Sequence, residues 1–311
     1  MVQFLGLAKQ FLGAVARSLD LVIAGIQKAG TSSLAQYLSQ HPHILLHESR
    51  EMPYFVRDKV YERDFDSVFR EYYPENPTSQ QLVLAKSVDV AYLETAARRL
   101  SEHSPNCRII IILRDPADRA YSAYWYMRRE GWETKEMFEA ALAAEGRRIE
   151  KRGDVAIHCS YCTRGRYPEQ ISRLKRLFSP KNINVLLLRD LNEAPVATCQ
   201  SVFDFVGVDQ TFQPSADKNY NTAKKARSER TSQLLNRFFQ KDHVIKKTLQ
   251  SFVPGPLARK VRKRLQVWNQ TNFSPPPMRK STRQALAEYF EPHNQKLESM
   301  LGRSLNHWTR A

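Results

Sequence analysis

Five short runs of apolar residues mark the first two thirds of the chain: Leu21–Ala24, Ile44–Leu46, Leu82–Ala85, Arg108–Leu113 and Ile183–Leu188. They are unbroken rather than alternating, with Ile109, Ile110, Ile111 and Ile112 in direct succession. A strand covered on both faces reads this way, because neither side meets water. Between the runs, apolar positions recur every three or four residues over 32–40, 64–73, 92–103, 117–129, 135–151 and 168–178, which predicts helices. Strand and helix alternate. The expected class is therefore α/β, a three-layer fold with a parallel sheet of roughly five strands flanked by helices. Such sheets bind ligands beyond the carboxyl ends of their strands, so functional residues are expected just after each apolar run.

The two ends differ from this core. Phe4, Leu7, Phe11, Leu12, Val15 and Leu19 recur at helical spacing opposite Lys9, Gln10 and Arg17, predicting an amphipathic helix over 1–18. Packing against its own domain is one reading and resting on a membrane surface is the other. The segment lacks the charged start and small-residue cleavage site of a signal peptide. No stretch approaches the ~20 apolar residues of a membrane span. A cytoplasmic protein is the expectation, with peripheral membrane contact through residues 1–19 as the alternative. After Val208 the pattern changes, and beyond Pro275-Pro276-Pro277 a helix is expected over 280–301 with Ala285, Leu286, Tyr289, Phe290, Leu297 and Leu301 on one face. The organisation expected is a single domain over 1–311, with an α/β core at 19–208 and a basic helical part at 209–311.

Charge narrows the partners. Across 311 residues, 48 Lys+Arg face 32 Asp+Glu for a net +16, and 42% hydrophobic residues exclude a disordered chain. Residues 224–264 hold 13 Lys+Arg and 2 Asp+Glu, a local net of +11. Such a stretch suits a polyanion binder as well as an enzyme with an anionic substrate. With only Phe238, Phe239 and Phe252 available for stacking, nucleic acid is not the expected partner. Cys159 and Cys162 form a lone CxxC pair and read as incidental thiols in a reducing compartment. His41, His43 and His47 have no metal-ligand spacing and read as loop residues.

The first strand runs into Gly25-Ile26-Gln27-Lys28-Ala29-Gly30-Thr31-Ser32-Ser33-Leu34 and then a helix. Glycines five apart before a helix resemble the loop whose N–H groups cradle phosphates. Here the lysine lies inside the loop at Lys28, where a nucleoside triphosphatase has it after the second glycine, the position of Thr31. The fourth strand ends in Arg114-Asp115-Pro116-Ala117-Asp118-Arg119-Ala120-Tyr121-Ser122. Pro116 suits a first helical position and Asp115 a cap, leaving Arg114 at the strand end and Ser122 about two turns along. Two clamps at separate strand ends suggest a ligand with two distant phosphates.

At these residues the chain resembles the sulfotransferases that use 3′-phosphoadenosine 5′-phosphosulfate (PAPS), especially the branch related to heparan sulfate sulfotransferases. Residues 25–34 resemble the family's 5′-phosphosulfate loop, and Arg114 with Ser122 its 3′-phosphate motif Arg-x-Pro-x-x-Arg-x-x-Ser. Residues 47–55, with Glu51, are similar to the Lys-Glu-x-x-(Phe/Tyr)-Phe segment that carries the general base. Residues 85–92, with Lys86, resemble the Glu-Lys-Ser/Thr-Pro-x-Tyr segment, Gly165-Arg166-Tyr167 the Gly-x-Tyr beside the nucleotide, and 282–308 the closing helix of bacterial members. Arg50 stands where lysine is common, Ser87-Val88-Asp89 replaces Ser/Thr-Pro, and Arg262-Lys263-Arg264 or Arg279-Lys280 are the substitutes for the loop that closes over the nucleotide in animal members.

The resemblance implies sulfuryl transfer from PAPS, with adenosine 3′,5′-bisphosphate (PAP) leaving and no metal required. Glu51, Lys28 and Lys86 are the expected catalytic residues; Lys28, Ala29, Gly30, Thr31, Ser32, Ser33, Arg114, Ser122 and Tyr167 are the expected donor contacts. The acceptor implied is a hydroxyl of a carbohydrate or glycolipid, and an anionic one suits the basic charge. N-sulfation of an amino sugar, a P-loop nucleotide kinase and a non-catalytic polyanion binder are the alternatives.

Overall fold

The computed structural model describes residues 17–151, 153–216, 224–226, 231 and 270–308. The five apolar runs become β1 (Leu21–Gly25), β2 (Ile44–Leu46), β3 (Leu82–Lys86), β4 (Arg108–Leu113) and β5 (Ile183–Leu187). They form one sheet in the order β2-β3-β1-β4-β5, every neighbour parallel. Leu21 lies opposite Leu84 on one side and Arg108 on the other. β1 is buried at every position, as are Ile109 to Leu113 of β4, so the unbroken apolar runs do correspond to strands covered on both faces. Burial of each leucine, isoleucine or valine among them contributes about 1.5–3 kcal/mol, which makes the centre of the sheet the anchor of the fold.

Helices cover both faces. They are α1 (Thr31–Leu38), α2 (Asp58–Tyr61), α3 (Phe65–Tyr72), α4 (Glu94–His103), α5 (Pro116–Glu130), α6 (Phe138–Ala143), α7 (Glu145–Lys151), α8 (Asp154–His158), α9 (Tyr167–Leu177), α10 (Leu188–Glu193), α11 (Pro195–Val206) and α12 (Lys280–Leu301). From β1 the chain first builds β2 and β3 on one side, then β4 and β5 on the other. The carboxyl ends of β1, β3 and β4 therefore frame a switch point, the crevice where ligands bind in open α/β sheets.

Several elements depart from the pattern of the sequence. The helix expected over 135–151 is two helices. The Tyr124 hydroxyl donates to the Lys135 and Glu136 carbonyls, which delays the start, and Glu145 turns inward at the break to accept from the N–H groups of Cys162 at 2.7 Å and Thr163 at 2.9 Å. α11 was not anticipated, although Pro195 opens it, Gly207 closes it at φ 72, and Cys199, Val202, Phe203 and Val206 line its buried face. The part expected to be helical also holds an antiparallel ladder of β6 (Lys224–Ala226) with β7 (Gln270–Asn272). Residues 1–16 of the amphipathic helix expected over 1–18 and most of the basic stretch, Arg262-Lys263-Arg264 included, lie outside the described residues, and residues 17 and 18 are not helical. Among the described residues no helix is long and apolar enough to cross a membrane.

α12 has the bounds read from the sequence and ties the later chain to the site. Arg283 donates to Asp115 at 3.1 Å and to Asp118 at 2.6 Å, pinning the entry to α5. Phe290 packs against Gly165, where an added Cβ would stand 2.5 Å from the ring. Only glycine permits that approach.

Candidate active site

The turn after β1 ends at Gly30, which caps α1 with φ 90. A Cβ there would lie 2.6 Å from Cδ1 of Leu188, so conformation and packing both demand glycine. Lys28 is also left-handed, at φ 68, a backbone state that costs a non-glycine residue on the order of 1–3 kcal/mol and gathers at functional sites. Thr31 and Ala29 are buried; Ser32 and Ser33 are half-buried on the first turn of α1. That turn holds no acidic residue and Gly30 gives it no side-chain cap, so the positive end of the helix is not offset by its own side chains.

Lys86 stands at the end of β3 and is 5% exposed, buried rather than solvated. Its ammonium lies 2.6 Å from Oε1 of Glu51 and 3.3 Å from Oγ of Ser32. Glu51 Oε2 accepts from the Val88 N–H at 3.1 Å, and the Met52 N–H donates to the Lys86 carbonyl at 2.9 Å. The segment after β2 is thus laced to the end of β3, with the carboxylate beside the phosphate-type loop. Burial pushes the Glu51 carboxyl up from its ordinary range, although Lys86 pulls it down. Glu48, three residues before Glu51, is exposed.

His47 is a site residue that the sequence did not disclose. It is buried, its Nε2 accepts from the Lys86 N–H at 3.0 Å, and burial pushes it down to about 4. A neutral imidazole is required for that bond, so His47 fixes the strand end that carries Lys86. His41 is buried as well, its ring 4.8 Å from that of Phe203; both histidines lie on loops as the sequence reading had them, but packed inside rather than solvated.

On the other side of β1, Arg114 directs its guanidinium to the Lys28 carbonyl at 3.4 Å, with no carboxylate partner among the described residues. Tyr167 is fully buried, and its hydroxyl donates to the Arg114 carbonyl at 2.8 Å while its ring meets Trp308 edge-on. Its visible part is to brace Arg114. Asp115 caps α5 through the Asp118 N–H at 2.8 Å, with Pro116 at the first position as expected, and Ser122 follows half-buried on the same helix.

A cluster of cations completes the site. Lys28 Nζ, Arg50 Cζ and Arg129 Cζ lie 4.7, 4.9 and 4.7 Å from the ring centroid of Tyr126. Burial first, then Arg129, Arg50 and Arg114, push Lys28 down to about 8; only Glu130 opposes them. Arg129 and Tyr126 escaped the sequence reading because the cluster is assembled from separate segments, although Ser122, Tyr126 and Arg129 do share a helix face by spacing. Loop, helix terminus, Arg114 and this surplus positive charge fit an anion carrying two separate phosphates. The remaining sequence candidates are elsewhere. Cys159 and Cys162 are free and burial pushes both thiols up to about 12, against thiolate chemistry. Arg279 lies 3.9 Å from Glu139.

The profile of a family described as the sulfotransferase domain matches residues 18–274. The bifunctional heparan sulfate N-deacetylase/N-sulfotransferase 3 of Mus musculus is 27% identical over 219 residues, 65% of this chain and 24% of that protein. The heparan sulfate glucosamine 3-O-sulfotransferase 6 of Homo sapiens is 26% identical over 212 residues, 66% of this chain and 58% of that one. The chain thus spans about a quarter of the first relative and somewhat over half of the second. Among solved structures, a sulfotransferase from Alicyclobacillus acidocaldarius superposes with TM-score 0.68 at 25% identity, over 95% of this chain and 100% of that chain.

Proposed function

The chain belongs to the sulfotransferase family, and from that premise we propose that it moves the sulfuryl group of PAPS to a hydroxyl of a carbohydrate or glycolipid, with Glu51 as general base. The observation that carries the proposal is the junction of Glu51, Lys86 and Ser32, where a carboxylate with raised proton affinity meets a cation that also touches the phosphate-type loop.

In this reading the N–H groups and hydroxyls of residues 28–33 hold the 5′ end of the donor, and Arg114 and Ser122 hold its 3′-phosphate, with Tyr167 keeping Arg114 in place. The donor, when bound, supplies an activated sulfuryl group on a phosphate leaving group. Lys28 and Lys86 place positive charge where negative charge grows, aided by the N-terminus of α1. Glu51 takes the acceptor proton onto its carboxylate, and the raised pKa makes it a stronger base than an exposed glutamate. Lys86 and the Val88 N–H keep that carboxylate aimed.

Calorimetric titration with PAP and with ATP tests the donor site. Wild type should bind PAP and prefer it to ATP, and Arg114→Ala should weaken PAP by about 10-fold or more, as loss of charge-assisted hydrogen bonds predicts. No binding of PAP, or a preference for ATP with magnesium, would sink the proposal. The mouse relative's name includes N-sulfotransferase activity, which favours an amine as the second acceptor class. Paired saccharides bearing a free amino group or only hydroxyls separate the two.

A further inference from the structure

Beyond Val88 the chain turns inward. Asp89, the residue after the N–H donor to Glu51, stands with Oδ1 2.7 Å from Nη2 of Arg164. The arginine side chain is 1% exposed and the aspartate side chain 18%. Taking such a pair out of water is unfavourable unless further contacts offset the loss. Arg164 makes them: Nε and Nη2 donate to the Ile157 carbonyl at 3.1 and 2.7 Å, and Cζ lies 4.3 Å from the ring centroid of Tyr92. The Tyr92 hydroxyl in turn lies 3.0 Å from the hydroxyls of both Ser160 and Thr163.

The pair joins two arms of the site. On one side the Val88 N–H, next to Asp89 in the chain, holds Glu51 at 3.1 Å. On the other, Arg164 leads through Gly165 to Tyr167, whose hydroxyl holds the Arg114 carbonyl at 2.8 Å. Gln170 of α9 donates to the Arg164 carbonyl at 2.9 Å, and Arg173 of α9 donates to the Ala91 and Tyr92 carbonyls at 2.9 Å each, a second tie between the same arms. For stability alone an apolar pair would serve as well. A charged pair adds a field that reaches the base. Burial opposes ionisation of Asp89, yet Arg164, with His158 and Arg57 beyond it, holds its carboxyl below the ordinary range. The ionised Asp89 joins burial in pushing the Glu51 carboxyl up, against Lys86 and the Val88 N–H. Arg50 and Tyr126 also face Glu51.

Building on the sulfotransferase reading above, we propose that Asp89 and Arg164 are positioning residues for sulfuryl transfer: their buried pair keeps the Val88 N–H on Glu51 and ties the base to the segment that braces Arg114. They act through Glu51 and Tyr167 rather than on donor or acceptor. Asp89 lies in the Ser87-Val88-Asp89 stretch, where this chain departs from the Ser/Thr-Pro of the family segment it resembles.

The test uses full-length protein saturated with PAP and isotope-labelled at the glutamate carboxyl carbons. The Glu51 resonance is assigned by its loss in Glu51→Gln, and its titration is followed by NMR beside urea unfolding and PAPS turnover on whichever of the two saccharides above supports it. Asp89→Asn keeps an oxygen for Arg164 and removes the charge. Its Glu51 midpoint should fall by about half a pH unit, as loss of a like charge predicts. Its kcat should fall about tenfold with KM for the saccharide within about twofold of wild type, as a misaimed base would show. Arg164→Lys leaves the aspartate a charged partner and should hold the midpoint within about 0.2 of wild type. Asp89 is the less buried partner, so the outcome does not hang on the arginine variant folding. If neither saccharide is sulfated, the midpoint alone decides. A midpoint unmoved in Asp89→Asn, or lost stability with kcat within about threefold of wild type, would reduce the pair to scaffold. Failure of the wild type to bind PAP at all would instead remove the donor assignment, and with it the reading on which the pair rests.

Discussion

Around Tyr161, buried carboxylates are met by donors. Glu133 accepts two bonds of 2.7 Å from Arg148, one of 2.8 Å from the Tyr161 hydroxyl and one of 2.8 Å from the Lys135 N–H. Burial alone would raise its carboxyl, yet these bonds hold it below the ordinary range. Glu145 likewise accepts from the Cys162 and Thr163 N–H groups and the Thr163 hydroxyl. Around Tyr126 the balance is reversed, with Lys28, Arg50 and Arg129 against Glu130 and with Lys28 driven to about 8. The first region spends its charge on its own backbone and side chains. The second keeps a surplus of positive charge among the described residues, and that difference separates scaffold from site.

Four substitutions or titrations sharpen the contrast. Glu51→Gln should lower kcat on the order of 10²–10⁴-fold and leave PAP affinity intact, as removal of a general base does; turnover within tenfold of wild type would exclude Glu51 from that role. Glu133→Gln should lower stability by about 3–5 kcal/mol, since it strands Arg148 in a buried pair. Urea unfolding measures that loss, while PAP affinity of the folded protein should not move. A change in affinity without a change in stability would erase the distinction between the regions.

The third prediction concerns pH. Lys28 is lowered from 10.5 to about 8 in the free protein, and a bound anion favours its charged form, so the proton is held more tightly in the complex. PAP affinity should therefore be level below about 8 and fall about tenfold per unit above it, until the pKa of the bound state is reached. Lys28→Arg should remove that decline. The smallest effect is expected at Arg303, which meets Asp190 with both nitrogens at 2.5 and 2.6 Å but is 48% exposed. Arg303→Ala should cost about 0–1 kcal/mol, as solvent-screened pairs do, and gives a baseline for the buried ones.

The strands were legible almost to the residue because their burial on both faces writes itself as uninterrupted apolar sequence, as in Ile109–Leu113. Helix 135–151 was not, since its start and its break answer to Tyr124 and to Cys162 and Thr163, partners that no local pattern reveals. α11 was missed even though Pro195 and Gly207 mark both its ends. Within the site, the glycine loop and Arg114 follow from strand-end logic, and Lys86 lies where expected but buried. His47 and the cations on Tyr126 emerge only when distant segments meet.

Gly30 and Lys28 sit two residues apart, and saturation mutagenesis of the loop would treat them differently. At Gly30, the left-handed backbone and the 2.6 Å approach of Leu188 would deplete every other amino acid even under selection for cellular abundance alone. Lys28 has a left-handed backbone too but is half-buried, and asparagine or glycine there would relieve strain and raise abundance while activity disappears. The two selections, run side by side on one library, would divide the loop into positions fixed by folding and positions fixed by chemistry.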